Sequence, residues 1–208
     1  MKNVCFILLV LVLATSCKKS DLPGDNGCIN RTRQRYLTGA DSLAAVQLLK
    51  QNNIPYTNLG FEILTLNDTV KQGTEAGVYQ HIYAVQYING LRVLNNDFGY
   101  HFKSGVFQSM SGIRYTAIDL NTQAALSYAQ LRKLYLAELD KNGYHAASFK
   151  DSCLVAEFGY YNLNGYGYAS STFTKAWAVS PKHAQYPLGY FRDDNGQLLG
   201  FYSGFVVF

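Results

Sequence analysis

The sequence predicts an α+β protein built as two units, each a helix packed on an antiparallel sheet. Three observations carry this expectation. The order helix then strands runs through the chain twice, which is the pattern of helices laid on antiparallel sheets. An Asn-Gly pair, Asn89-Gly90, separates two strand-like runs and marks a two-residue hairpin. Ser127 followed three residues later by Gln130 makes a capping box at the head of the second helix. Composition agrees: 17 tyrosines against one tryptophan, with 18 glycines and only 4 prolines, suit sheet surfaces and hairpin turns better than a helical bundle.

Taken in order, Asp41 to Asn52 places Leu43, Val46 and Leu49 at helical spacing, with Asp41 or Ser42 as the cap and Asn53-Ile54-Pro55 as the stop. Phe61 to Leu66 is a short strand ended by Asn67-Asp68. Tyr79 to Ile88 and Leu91 to Phe102, rich in aromatic and β-branched residues, form the hairpin around Asn89-Gly90, because Asn and Gly tolerate the positive φ of a type I′ turn. Lys103-Ser104-Gly105 turns the chain into a third strand, Val106 to Tyr115. Tyr115 to Leu126 is the expected join. The second helix presents Tyr128, Leu131, Leu134, Tyr135 and Leu139 on one face and closes at Asn142-Gly143. Strands follow at Cys153 to Tyr161, Phe173 to Ser180, Gly189 to Arg192 and Leu198 to Tyr202, the last pair joined by the turn Asp193-Asp194-Asn195-Gly196.

The first residues predict export. Lys2 supplies a positive start, Val4 to Leu13 is an apolar run, and Ala14-Thr15-Ser16 are small, which is the order of a secretory signal. The apolar run falls short of the roughly 20 residues that a spanning helix needs, and no later segment is long and apolar enough to span a bilayer. Ala14-Thr15-Ser16-Cys17 resembles the bacterial lipobox, which implies removal of residues 1–16 and acylation of Cys17; a plain signal peptide with a coincidental cysteine is the alternative. Residues 17–35, with Pro23 and Gly24, read as a lipidated tether. The expected location is the cell envelope, held to a membrane by lipid alone. Cleavage removes Lys2 and takes the formal charge from +4 to +3. That is too mild, and too free of basic runs, for nucleic acid. Cys28 and Cys153 then remain as an even pair in an oxidising compartment, and a disulfide between them is expected, with two free buried thiols as the alternative. Roughly 190 residues are left, enough for one large domain or two small ones.

The run His81-Ile82-Tyr83-Ala84-Val85-Gln86-Tyr87-Ile88-Asn89-Gly90-Leu91-Arg92-Val93, with Asp97 beyond it and the later Gly105-Val106 and Ser111-Gly112, resembles the FTP motif of fungalysin and thermolysin propeptides. Asp119 to Leu139 resembles the opening of the PepSY domain that follows it in those propeptides. Lys175-Ala176-Trp177-Ala178-Val179 and Tyr190 to Leu199 resemble that domain's closing strands. The resemblance implies an FTP-like unit over 36–118 and a PepSY-like unit over 119–208, both cystatin-like. Leu94-Asn95-Asn96 stands where the propeptides usually carry glycines. In the relatives the unit precedes a zinc metallopeptidase, which it helps to fold and inhibits. No His-Glu-x-x-His helix occurs in this chain. The implied function is a non-enzymatic, propeptide-like module acting in trans on a secreted metallopeptidase. The alternative is a structural or ligand-binding envelope lipoprotein that keeps only the fold.

The chemistry-bearing residues predict no catalytic, cofactor or metal site. His81 and His101 fall in paired strands without a glutamate or cysteine at ligand spacing, and read as surface or strand-packing residues; His145 and His183 stand apart. Asp193-Asp194 could serve as paired carboxylates, but with Asn195-Gly196 behind them they read as turn chemistry. No nucleophile elbow, P-loop or dinucleotide fingerprint is present. Tyr160, Tyr161, Tyr166 and Tyr168, interleaved with glycine and asparagine, form a candidate partner-binding loop; tyrosines packed across the strands of a hairpin are the favoured alternative.

Overall fold

The computed structural model describes residues 36–70, 76–150, 152–165, 171–182 and 184–204. The predicted signal peptide, Cys17, the tether and Cys28 lie outside the described residues. In chain order the elements are α1 (Gly39–Gln51), β1 (Leu59–Val70), β2 (Gly77–Ile88), β3 (Leu91–Lys103), β4 (Val106–Ser111), α2 (Tyr128–Lys141), a 3-10 turn (Ala146–Phe149), β5 (Leu154–Asn162), β6 (Phe173–Pro181), β7 (Leu188–Arg192) and β8 (Leu198–Tyr202). No helix among the described residues is long and apolar enough to cross a membrane.

The local signals act as their chemistry predicts. Asn89 and Gly90 both take positive φ, 51° and 79°, and Ile88 faces Leu91 across the turn. Ser104 and Gly105 do the same, at 52° and 80°, between β3 and β4. The Ser127 hydroxyl accepts from Gln130 N while Gln130 Oε1 accepts from Ser127 N, so two free donors of the first turn of α2 are satisfied reciprocally. Three boundaries differ. β1 does not stop at Asn67-Asp68 but runs on to Val70, because a register shift between Thr65 and Asp68 absorbs the pair into the strand. Thr38, not Asp41 or Ser42, holds the N-cap position of α1, and Asp41 falls inside the first turn, where its charge complements the helix dipole. β4 stops at Ser111 instead of Tyr115, because Gly112, at φ 85°, packs against Phe98 and the Asp97 carbonyl where a Cβ would clash. The chain then leaves the sheet.

The expectation of two cystatin-like units, each with its own antiparallel sheet, is overturned. One continuous mixed sheet of eight strands forms, in the order β1-β2-β3-β5-β6-β7-β8, with β4 on the upper half of β3. The two halves are welded by a short parallel pairing of β3 and β5, Arg92 with Gly159 and Val93 with Tyr160. Glycine makes that approach possible: a Cβ at position 159 would stand 2.3 Å from the Arg92 carbonyl oxygen. Asn95 lengthens the seam through its side chain, donating to the Asn162 carbonyl and accepting from Asn162 N, both at 2.9 Å. Asn96, buried beside it, donates to the Ile113 carbonyl at 2.7 Å. Asn95 thus extends the seam that Arg92 and Val93 begin. The expected boundary at 118/119 falls in the irregular segment between β4 and α2, and the sheet runs on past it.

Both helices cover the same face. α1 packs on Phe61, Ile82, Ala84, Phe98, Tyr100 and Phe102, and α2 on Leu154, Ala156, Trp177, Val179 and Phe191. Between them the 112–127 segment lays Ile113, Tyr115, Ile118 and Leu120 over Ile88, Val93 and Tyr160. Side chains alternate along a strand, so Asp97 and Glu157 point away from Phe98 and Ala156. Arg92 binds both carboxylates, which places the helix-free faces of the two halves side by side. That shared open face carries the candidate site.

Candidate functional site

At the centre of the open face lies Arg92, only 8% exposed. Its Nη1 donates to Glu157 on β5 at 3.3 Å, and its Nη2 reaches Asp97 on β3 at 2.9 Å and Glu62 on β1 at 3.3 Å. Glu62 can turn inward because the β1–β2 register shifts between Phe61 and Ile63. Burial alone would lower the pKa of Arg92, but the carboxylates of Glu157, Glu62 and Asp97 outweigh it and hold the guanidinium charged. Beside this cluster the hydroxyls of Tyr36 and Tyr87 hydrogen-bond, with their rings edge to face. Gly60 leaves the room that Tyr36 occupies, since a Cβ there would lie 2.7 Å from the ring. Burial raises the pKa of both phenols; for Tyr36 the Tyr87 bond and Glu157 add to the rise, and Arg92 opposes it.

A cavity of 170 Å³ opens next to Arg92, walled by Glu62, Asp97, Tyr186, Tyr190 and Tyr202. Tyr190 anchors this wall. It donates to the Leu94 carbonyl at 3.3 Å and contacts the rings of Tyr161 and Tyr202 at 5.1 and 5.9 Å. Burial raises the Tyr161 phenol, with Tyr202 adding to the rise. Tyr186 and Tyr202 remain exposed. The notch therefore offers phenol rings and hydroxyls beside a rigidly held charge cluster, the composition of a protein-contact surface. A second, shallower cavity of 480 Å³ lies between the β2–β3 turn and the 112–127 segment, lined by Asn58, Gln86, Asn89, Arg114, Tyr115 and Thr116. Arg114 is fixed there by donating to the Pro55 carbonyl at 2.7 Å.

The residues singled out in the sequence are placed as follows. Tyr160 and Tyr161 are not loop residues: they lie inside β5, both buried, so the packing alternative describes them, while Tyr166 and Tyr168 lie outside the described residues. Cys153 stands one residue before β5 and is disulfide-bonded, and Cys28 lies outside the described residues. Asp193 does more than make a turn. Fully buried, its carboxylate accepts from Ala125 N, Leu126 N and Trp177 Nε1. His145 precedes the 3-10 turn and His183 lies outside the described residues. Among the described residues no three His, Cys, Asp or Glu side chains form a metal-holding group. The Arg92 cluster was not anticipated. Its signal was an arginine inside an otherwise apolar strand start, Leu91-Arg92-Val93-Leu94, with Asp97 five residues on; its other partners, Glu62 and Glu157, are too far away in sequence to be linked to it by spacing.

His81 and His101 are brought together, as strand-packing predicts. They are register partners across β2 and β3, and their Nδ1 atoms lie 2.8 Å apart. Burial, then the neighbouring His81, lowers the His101 pKa below the ordinary imidazole value of 6.5. A histidine whose folded pKa is depressed takes up its proton more readily when unfolded, so protonation favours unfolding. Stability is therefore expected to fall as pH drops through 6.5 and to level off below the folded pKa. A His101→Asn variant should flatten that slope in melting temperatures taken between pH 7.5 and 5. An unchanged slope would remove His101 as its source.

No family model matches the chain, and no curated protein matches it.

Proposed function

We propose that this chain is a non-enzymatic exported lipoprotein, anchored through Cys17, whose helix-free sheet face binds a secreted metallopeptidase in trans as inhibitor or folding aid. The observation that carries the docking half is the one-sided cover of the sheet. α1, α2 and the 112–127 segment all lie on one face. The other keeps the tyrosine-walled notch at Arg92 open. Aromatic side chains beside a fixed guanidinium are the residues that dominate protein contacts. The peptidase half rests on the propeptide-like residues around Asn89-Gly90 and Lys175 to Leu199 alone, because the paired cystatin-like layers that the resemblance implies do not form as separate units.

The test is inhibition. The protein is titrated against metallopeptidases secreted by its own source, with Tyr186→Ala/Tyr202→Ala as the contact variant. Dose-dependent slowing, or recovery of refolding peptidase, that weakens at least tenfold in the variant is expected. Absence of any effect on every such peptidase would overturn the peptidase half. An effect that the variant leaves intact would move the contact off this face. The Arg114 cavity supports a second reading, a ligand-binding envelope lipoprotein: its one charged side chain sits among asparagine, glutamine and threonine groups suited to a small polar or anionic molecule. Saturable binding of such a ligand, lost in Arg114→Leu, would favour it.

A further inference from the structure

We propose that His81 and His101 form a chelate site for a divalent first-row metal of tetragonal preference, copper(II) before nickel(II), on the open face of the β2–β3 hairpin. The geometry is the argument. Two imidazoles bound at roughly 2.0 Å and meeting at about a right angle put their nitrogens roughly 2.8 Å apart. The two Nδ1 atoms stand at 2.8 Å. A tetrahedral ion would need roughly 3.3 Å between them, so zinc is accepted only if the strands spread.

One outer contact is within hydrogen-bond range and a second acceptor stands just beyond it. A ligating histidine usually donates its other ring N–H to a nearby acceptor, which fixes the tautomer. His101 Nε2 lies 3.3 Å from the Ser111 hydroxyl on β4, and His81 Nε2 lies 3.9 Å from the Asp68 carboxylate on β1. In the metal-free protein one Nδ1 donates its proton to the other. On binding, that proton moves to Nε2 of the same ring, where one of these acceptors waits, and both Nδ1 lone pairs are free for the metal. Neutral imidazoles thus bind without net proton loss. Tyr79 stacks on His81 and Tyr83 meets His101 edge to face, so the rings are held in place from the strand's own face. Lys103, on β3, is drawn over the Tyr79 ring. The remaining coordination positions would be filled by water or by a side chain of a docked protein. Because both nitrogens must be unprotonated, affinity falls as pH drops below the histidine range.

The experiment is a titration of the purified protein with copper(II) in the presence of glycine as a competing chelator, followed by calorimetry and electron paramagnetic resonance. One equivalent with a two-nitrogen signature is expected, with nickel weaker and zinc weakest. His81→Ala and His101→Ala should each weaken binding at least tenfold, and the double variant should abolish the two-nitrogen signature. A measurement on the unaltered protein guards against variants that misfold: substoichiometric copper should broaden the His81 and His101 ring-proton resonances before those of His145. Failure to compete with glycine, binding unchanged in both single variants, or simultaneous broadening of His145 would each overturn the site and assign the copper to adventitious surface groups.

Discussion

Asp193→Ala is expected to destabilise the protein by about 3–5 kcal/mol, the range for removing one partner from a buried, hydrogen-bonded charge group. The Asp193 carboxylate is fully buried. Oδ1 accepts from Trp177 Nε1 at 2.8 Å and Leu126 N at 3.1 Å, Oδ2 accepts from Ala125 N at 2.9 Å, and Lys175 Nζ lies 3.5 Å from Oδ2. Alanine would strand the buried indole N–H of Trp177 and remove the acceptor of two backbone donors, while Lys175 keeps its bonds to Asn121 Oδ1 and the Gln123 carbonyl. The damage would be local to a junction, since these contacts tie the start of α2 to β6 and β7. Trp177 is the chain's one tryptophan, so its fluorescence reports the loss directly: a red-shifted emission should accompany a lowered denaturation midpoint. Asp193→Asn keeps the volume and one acceptor but sets an amide N–H₂ against donors, and should fall between. A midpoint for Asp193→Ala within about 1 kcal/mol of the unaltered protein would show that the backbone donors are satisfied without the carboxylate.

Asp193 also marks the limit of what the sequence made legible. An Asp-Asp-Asn-Gly turn was readable, and Gly196 does take positive φ, 73°. That one of the two aspartates turns inward depends on backbone donors almost seventy residues earlier, which no local pattern encodes. The same division runs through the fold. Hairpins and caps are decided by residues within four positions of one another, so Asn89-Gly90 and Ser127/Gln130 were predicted with their mechanisms. Strand order is decided by pairing between distant segments. The two repeats of helix and strands implied two sheets, because nothing local announces that β3 and β5 pair in parallel over only two residue pairs. In hindsight Gly159 carried a signal: a glycine inside a strand suggests a close approach of another backbone, and here that backbone is Arg92. The candidate site was hidden for the same reason. Tyr160 and Tyr161 drew attention through composition yet pack inside the sheet, whereas the notch brings Tyr186, Tyr190 and Tyr202, at and beside the β7–β8 hairpin, together with Glu62, Arg92 and Asp97 of β1 and β3.

The Arg92 cluster sits on that unannounced seam, and its removal tests whether the seam is held by charge or by backbone. Arg92→Met is expected to cost about 3–5 kcal/mol, because Glu157, its side chain 8% exposed, would lose the guanidinium that compensates its burial. Glu62 and Asp97, at 22% and 58% side-chain exposure, keep more of their hydration and contribute less. Arg92→Lys should recover part of the loss but not all, since an ammonium cannot spread the planar fork over carboxylates from three strands. Adding Glu157→Gln to Arg92→Met removes the carboxylate charge as well, and the double-mutant cycle should return a coupling of about 1–3 kcal/mol. Because Arg92 joins β1, β3 and β5, its loss should also loosen the two halves from each other. Hydrogen exchange at the β3–β5 seam should then rise more than at the β2–β3 turn, whose hydrogen bonds do not depend on the cluster. An Arg92→Met variant with unchanged midpoint and unchanged exchange at the seam would mean that solvent screens the cluster. The close backbone contact at Gly159, with the Asn95–Asn162 bonds beside it, would then be enough to hold the sheet together.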